Sequence, residues 1–202
     1  EMVRWEDGGK TWSEPVTVGP IVESSIGENV PKRVLQGSQP AVAPDGTLYV
    51  AYLDSTDDDS FKKRAEIYVG RSEDDGLTFT IERAADFNEL PFNPRNAFFR
   101  YWGASFPQIT VDPEGDIYVA YTARSPSKDD DGNIYVAMSK DRGETWTNKR
   151  LNDDITTRVQ FYPSISAGPD GTVHVMWGDM RDDPVETRYH IYYTNSEDGG
   201  ET

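Results

Sequence analysis

The sequence of 202 residues contains no cysteine. That excludes disulfide cross-links and thiolate chemistry, and it leaves the redox compartment unread. Basic residues are scarce: 20 Lys and Arg stand against 36 Asp and Glu, a net charge of −16. Such a surface repels nucleic acid and anionic lipid, so neither is expected as a partner. Histidine occurs twice, at His174 and His190, and this pair lacks zinc-ligand spacing. His174 replaces the Tyr49 and Tyr118 of sister repeats and is expected to be a packed residue. No apolar run is long enough to cross a bilayer, and no stretch carries a helical period. The length suits one domain with a substantial core. Glu1 sits in the flank of one repeat motif and Thr202 ends within another, so the chain is expected to be a piece of a longer protein, and the missing secretion signal is uninformative.

What the sequence does have is a motif in four copies. Residues 139–146 read Ser-Lys-Asp-Arg-Gly-Glu-Thr-Trp, and residues 72–79 read Ser-Glu-Asp-Asp-Gly-Leu-Thr-Phe. Residues 5–12 repeat the pattern with Trp5 in place of the serine, and residues 196–202 repeat it up to the threonine. The chemistry is that of a tight turn. Asp7, Asp74, Asp141 and Asp198 can accept hydrogen bonds from the amides that follow. Gly9, Gly76, Gly143 and Gly200 can take positive φ. Thr11, Thr78, Thr145 and Thr202 can close the turn a second time. Trp12, Phe79 and Trp146 begin the next strand as apolar anchors. Ser72, Ser139 and Ser196 open three of the boxes. A metal-binding or acid–base role for these aspartates is the lesser reading, because the turn already uses the carboxylate and the spacing is not that of a calcium loop.

Between the boxes lies a second repeat. Residues 47–52, 116–121 and 172–177 align as central strands, each preceded by a Pro-Asp-Gly or Pro-Glu-Gly turn. Upstream strands begin at Pro40, Pro107 and Pro163, third strands follow near Glu66, Asn133 and His190, and fourth strands are expected over 12–18, 78–83 and 146–151. The segments are β-branched and aromatic with turn residues between them. The central strands are apolar on both faces, which places them within a stack of sheets. Four short antiparallel strands repeated radially make a β-propeller blade. The predicted fold is therefore an all-β β-propeller of four-stranded antiparallel blades, with about three units present. Residues 1–38 close a preceding blade and loop, 39–83 form a blade, 84–106 a loop, 107–151 a blade, and 152–202 a blade lacking its last strand.

The box between third and fourth strands resembles the Asp-box, or bacterial neuraminidase repeat, of the sialidase-like propeller superfamily. The resemblance covers nearly the whole chain. It implies a six-bladed whole whose remaining blades close the ring, an extracellular or cell-surface setting, and a glycan or glycoprotein partner. It also implies that ligands meet the face opposite the boxes, where residues 54–64, 122–132, 178–188, 19–38, 84–106 and 152–162 lie. Family enzymes clasp a substrate carboxylate with three arginines and attack with a Tyr polarised by a Glu, an Asp handling the proton. Their Phe-Arg-Ile-Pro arginine has no counterpart here: Ser38, Ser105 and Phe161 stand two before the strand-opening prolines. No catalytic residue carries over.

Candidate ligand-face residues are Asp54, Arg95, Arg100, Tyr101, Trp102, Arg124, Arg158, Asp179 and Arg181. Asp54 and Asp179 share one repeat position. Asp179 with Arg181 reads first as a local ion pair stapling a loop, and second as a charged pair lining a sugar site. The aromatic run of 87–106 reads equally as a cover for two blades or as a sugar-stacking surface. The acidic runs 57–59 and 129–131 read as solvated loop tips, with calcium as the alternative, and no cofactor is otherwise expected. Two functions stand: a glycan-recognising sialidase-like module, in its enzymatic form an exo-α-sialidase, or a non-catalytic scaffold binding protein at its loop face.

Overall fold

The computed structural model describes residues 1–5, 7–19, 35–54, 64–88, 105–124, 132–185 and 187–202. Among these there is no helix. The described residues form eleven strands in three antiparallel sheets. The first holds β1 (Leu35–Val42), β2 (Leu48–Asp54), β3 (Arg64–Ser72) and β4 (Thr80–Asn88) in sequence order. The second holds β5 (Gln108–Val111), β6 (Ile117–Ala123), β7 (Asn133–Ser139) and β8 (Thr147–Arg150). The third has three strands, β9 (Gln160–Ala167), β10 (Val173–Asp179) and β11 (His190–Ser196). This is the propeller-blade architecture that the repeats predict.

Alternation along each central strand sends side chains to both faces, and the sheets stack through them. Tyr49, Ala51, Ile67 and Val69 of the first sheet meet Ile117, Val119 and Tyr121 of the second. The opposite face of the second sheet, with Tyr118, Ala120, Ile134 and Val136, meets Val173, Val175 and Trp177 of the third. Each sheet also carries a cross-strand aromatic pair: Tyr52 on Tyr68, Tyr121 on Tyr135 and Trp177 on Tyr192, with centroids 6.0, 5.7 and 6.2 Å apart. The far face of the third sheet differs. Met176 and Tyr193 are exposed there, at positions whose sisters are buried in the other two sheets. His174 is only half-buried and bonds the Tyr193 hydroxyl at 2.7 Å.

The boxes are hairpin corners between third and fourth strands. Asp74 Oδ1 accepts from the amides of Leu77 and Thr78 at 3.1 and 2.9 Å, and its Oδ2 accepts from the Thr78 hydroxyl at 2.6 Å. Asp7, Asp141 and Asp198 do the same with Thr11, Thr145 and Thr202. The serine has a role the sequence reading missed. Ser72, Ser139 and Ser196 donate to the box aspartate and accept the amide of Gly76, Gly143 or Gly200 at 2.8 Å. Bonds to the charged form, those of Thr78 and Thr145 foremost, lower Asp74 and Asp141 to about 2. Two consecutive residues take positive φ in each corner, so the residue before the box glycine shares its conformation: Asp75 at +58° and Arg142 at +62°, where the other copies have Gly8 and Gly199. Neighbouring corners are tied together. Arg4 bonds the Asp75 carbonyl, Arg71 bonds the Arg142 carbonyl at 3.2 Å, and Arg142 reaches Thr47 at 2.8 Å and Glu73 at 2.9 Å.

Strand limits depart from the sequence expectation in several places. β4 runs to Asn88, five residues past the expected end at Arg83 and into the expected 84–106 loop, because it stays paired with β3 as far as Arg64. Over 12–18 there is no strand, only a bridge from Met2 to Val16, and Trp12 is exposed rather than packed. No described sheet lies beside it to bury the ring. β1 starts at Leu35, five residues before Pro40, and β9 at Gln160, three before Pro163. Both strands begin where they pair with the ends of their central strands, Leu35 with Asp54 and Gln160 with Asp179, and both carry a bulge at the same register. Gln36 and Gln39 oppose Leu53 and Ala51, while Phe161 and Ser164 oppose Gly178 and Met176, so each first strand carries one extra residue. Counted back from Asp54 and Asp179, Pro163 matches Ser38 rather than Pro40. The position two before it is therefore matched in the first sheet by Gln36, still not an arginine.

Candidate functional site: the loop end of the third sheet

Strand direction puts the ends of β2, β6 and β10 and the starts of β3, β7 and β11 at the end of the sheets opposite the boxes. Asp54 and Asp179 terminate their strands there, each 1% exposed. Asp54 lies opposite Leu35 and Glu66, and Asp179 opposite Gln160 and His190. The repeat thus plants one buried carboxylate at the loop end of two sheets; the second sheet ends instead at Ala123.

A buried carboxylate must be bonded on both oxygens or lose its charge. Asp179 accepts from the Arg181 amide at 2.8 Å, the Arg181 Nε at 2.9 Å, the Trp177 indole at 2.9 Å and the Gln160 amide at 3.2 Å. Burial alone would raise its pKa; these donors, Arg181 first, outweigh burial and hold it below the usual carboxylate range. Burial also works against the Arg181 charge, and bonds to Asp179 and Asp153 overcome it, raising that pKa further. Arg181 Nη1 reaches Asp153 at 2.7 Å and its Nη2 lies 3.6 Å from Asp154, while the guanidinium sits 4.2 Å above the Tyr192 ring. Its Nη2, 2.8 Å from Asp179 Oδ2, is buried without hydrogen-bond geometry to any acceptor.

The network continues inward. Asn152 donates to Asn133, Asp154 and Gln160 at 2.7 to 3.0 Å and accepts the Ile134 amide at 2.9 Å. Asp154 is further bonded by Thr156 and by Arg150. Polar residues from β7, β9 and β10 and from the 151–159 segment are thereby locked together. Outside them a depression of about 350 Å³ opens, lined by Asp179, Asp182, Asp183, Pro184, Val185, Thr187, Arg188, Tyr189 and His190. Two smaller depressions, of about 230 and 120 Å³, lie against core-facing side chains and offer less chemistry.

Other predicted residues fall elsewhere. Arg124 ties the sheets through its amide, which donates to the Asn88 carbonyl at 2.7 Å. The Arg158 amide donates to the Thr156 hydroxyl at 3.3 Å. Arg95, Arg100, Tyr101 and Trp102, with the acidic runs 57–59 and 129–131 raised for calcium, lie outside the described residues. The structure brings Asp179 and Arg181 together and leaves Asp54 on a different sheet. Among the described residues no group of three His, Asp or Glu is set to hold a metal.

A Tyr–Glu pair does occur. The Tyr68 hydroxyl donates to Glu66 at 3.2 Å, and Arg83 bonds the same carboxylate at 2.7 Å. Burial, then Glu66, pushes the Tyr68 phenol up. That is opposite to what a nucleophilic phenolate needs. Its guanidinium partner is engaged by the glutamate, and Arg64 is paired with Asp86 at 2.6 Å.

The stacked antiparallel sheets and their repeated hairpin corners define the class as one of fold: β-propeller blades. Residues 104–202 match the family model described as "BNR repeat-containing family member". Solved structures match over most of the chain at low identity. A Penicillium chrysogenum α-L-arabinanase is 20% identical, TM-score 0.60, covering 97% of this chain and 54% of its own. A Hadza microbial sialidase, Hz136, is 20% identical, TM-score 0.58, covering 83% and 36%. The α-L-arabinofuranosidase Arb93A of Fusarium graminearum is 18% identical, TM-score 0.58, covering 98% and 54%. The chain thus spans about a third to a half of their length. A search of curated protein sequences found no match.

Proposed function

We propose that this chain is part of an extracellular or cell-surface propeller that recognises glycans at its loop end, on the third sheet. The observation that carries the reading is the depression lined by Asp182, Tyr189 and His190 beside the Asp179–Arg181 network. Concave, polar-rimmed sites with a few fixed hydrogen-bonding groups are what small ligands use, and a sugar offers hydroxyls to all of these side chains. The structural neighbours include a sialidase, an α-L-arabinanase and an α-L-arabinofuranosidase, so a glycosidase-like role fits the fold. Hydrolysis of terminal sialic acid is the finer form of the proposal. It is tested with a fluorogenic sialoside and a glycan array on the full-length protein. Turnover supports the enzyme; array binding without turnover supports a recognition module; silence in both rejects the carbohydrate reading.

The uncovered Met176 and Tyr193 face is read as the seat of a further sheet, because the repeat covers its sister faces. A structure of the full-length protein with that face in solvent removes this part. Secretion is checked by fractionating cells: protein retained wholly in the cytoplasm contradicts the placement. The competing scaffold reading draws on the pairing of Arg181, which leaves its guanidinium committed to three aspartates. A pull-down on the loop face with no glycan signal favours it.

A further inference from the structure

We propose that the loop-end cleft of the third sheet seats an uncharged sugar unit, stacked on Tyr189 and Tyr162, and disfavours a carboxylated one. The inference rests on the glycan reading above, gives it a substrate class, and stands against the sialic-acid form of that reading at this cleft.

The first observation is strain. Tyr162 takes φ of +50° within β9. The bulge places it at the position of Gly37, whose φ is +67°. One sheet meets this left-handed requirement with glycine and the other with a bulky aromatic, which pays a steric cost that glycine avoids. The ring is only partly packed, since Tyr162 remains 45% exposed. Strain kept at one repeat and absent from its sister points to a use for the side chain.

The second observation is a pair of braced rings. Phe161 is buried, packed under Gly178, where an added Cβ would meet its ring at 2.7 Å. Tyr162 stands edge-on to Phe161 at 5.5 Å, and Tyr189 stands edge-on to the same ring at 5.3 Å. Tyr189 is 46% exposed and lines the depression. A single buried ring thus holds two half-exposed tyrosines, Tyr189 in the lining of the cleft and Tyr162 against the same Phe161 ring. Such rings present an apolar face for the C–H side of a sugar and a hydroxyl for hydrogen bonding.

The third observation is charge. The depression is lined by Asp179, Asp182 and Asp183 against Arg188 and His190. Asp183 is used by the turn, where it accepts from Val185, Thr187 and Arg188 amides. Asp182 remains half-exposed at the rim, bonded by the Tyr192 hydroxyl at 2.8 Å and 3.4 Å from His190. Arg181, behind the lining, is already held by Asp179 and Asp153, which leaves Arg188 as the guanidinium of the lining itself. A sugar carboxylate would face the carboxylates of Asp182 and Asp183 there against that single guanidinium, whereas neutral hydroxyls can donate to Asp182.

The experiment measures binding of arabinobiose, lactose and 3′-sialyllactose to the full-length chain by ligand-observed NMR. It compares wild type, Tyr189→Ala, Tyr162→Gly and Asp182→Asn. Tyr162→Gly removes the ring while easing the backbone, so its melting temperature reports that the fold is kept. The expected result is binding of a neutral disaccharide, weakened roughly tenfold by loss of either ring. Sialyllactose bound more tightly than lactose, and tighter still in Asp182→Asn, overturns the inference while keeping glycan recognition. Neutral binding unaffected by both tyrosine variants also overturns it. No binding of any of the three overturns the inference and the glycan reading together.

Discussion

Replacing Arg181 with methionine isolates the contribution of the loop-end ion pair. The variant keeps most of the side-chain volume and removes the guanidinium. Asp179, 1% exposed, would lose contacts at 2.9 and 2.8 Å but keep Trp177, Gln160 and the residue-181 amide. Removing one member of a buried pair costs about 3–5 kcal/mol. The three remaining donors place this case at the lower end, about 3 kcal/mol. For a chain of this size that corresponds to a fall of roughly 6–12 °C in melting temperature. The pH dependence should change sign locally. In the native protein Asp179 lies below its unfolded value of 3.8, so its contribution is present above that pH and is lost on acidification. Without the guanidinium, burial dominates and raises the pKa. The folded variant then binds protons more readily than the unfolded chain and gains relative stability as pH falls. Asp179→Asn with Arg181→Met should cost less than the sum of the single changes. Thermal melts of the four proteins between pH 7 and pH 3 measure both effects. A loss under about 1 kcal/mol, the size of an exposed pair, with an unaltered pH slope, refutes the reasoning.

The box corners give a matched test of backbone strain. Asp75→Gly should stabilise the fold by a few tenths to about 1 kcal/mol, because glycine suits its φ of +58°. Arg142→Gly eases the same strain but cuts the ties to Thr47 and Glu73, so it should gain less; equal gains in melting temperature count against those ties. Gly178→Ala should destabilise by about 1–3 kcal/mol, since its Cβ would meet the Phe161 ring at 2.7 Å, and Phe161→Leu should recover part of the loss in a urea titration. Ile134→Ala, at a fully buried site between the second and third sheets, should cost about 2–5 kcal/mol; a smaller loss means those sheets do not share a core. Because Asp74 and Asp141 sit at about 2 in the fold against 3.8 unfolded, their contribution is present above about pH 4 and should vanish between pH 4 and pH 2. Circular dichroism across that interval in Thr78→Val and Thr145→Val variants should show a weaker acid transition.

Local chemistry was legible in the sequence, and contacts across sheets were not. The Asp74-to-Thr78 bonds follow from spacing alone, as does the alternation that buries Tyr49 and Ala51 on one face and Val50 and Tyr52 on the other. The double role of Ser72 needs the turn closed before its hydroxyl meets both the Asp74 carboxylate and the Gly76 amide. Pro40 and Pro163 look equivalent in sequence, yet they stand six and eight residues before Gly46 and Gly171, so the strand pairing matches Pro163 with Ser38 and Tyr162 with Gly37. Arg142 meets Asp45, 97 residues away, through stacking that no motif encodes. Asp179 and Arg181 were readable as a pair, while Gln160 joins them through the pairing of β9 with β10, and Asp153 and Asp154 reach Arg181 from the segment before β9.

Amide hydrogen exchange of the full-length chain, with and without saturating neutral disaccharide, tests glycan recognition at the loop end most directly. Slowed exchange confined to residues 158–162 and 179–190, with the four box corners unchanged, is the predicted result. Protection centred on the boxes, or none anywhere at concentrations that saturate comparable sugar sites, contradicts it.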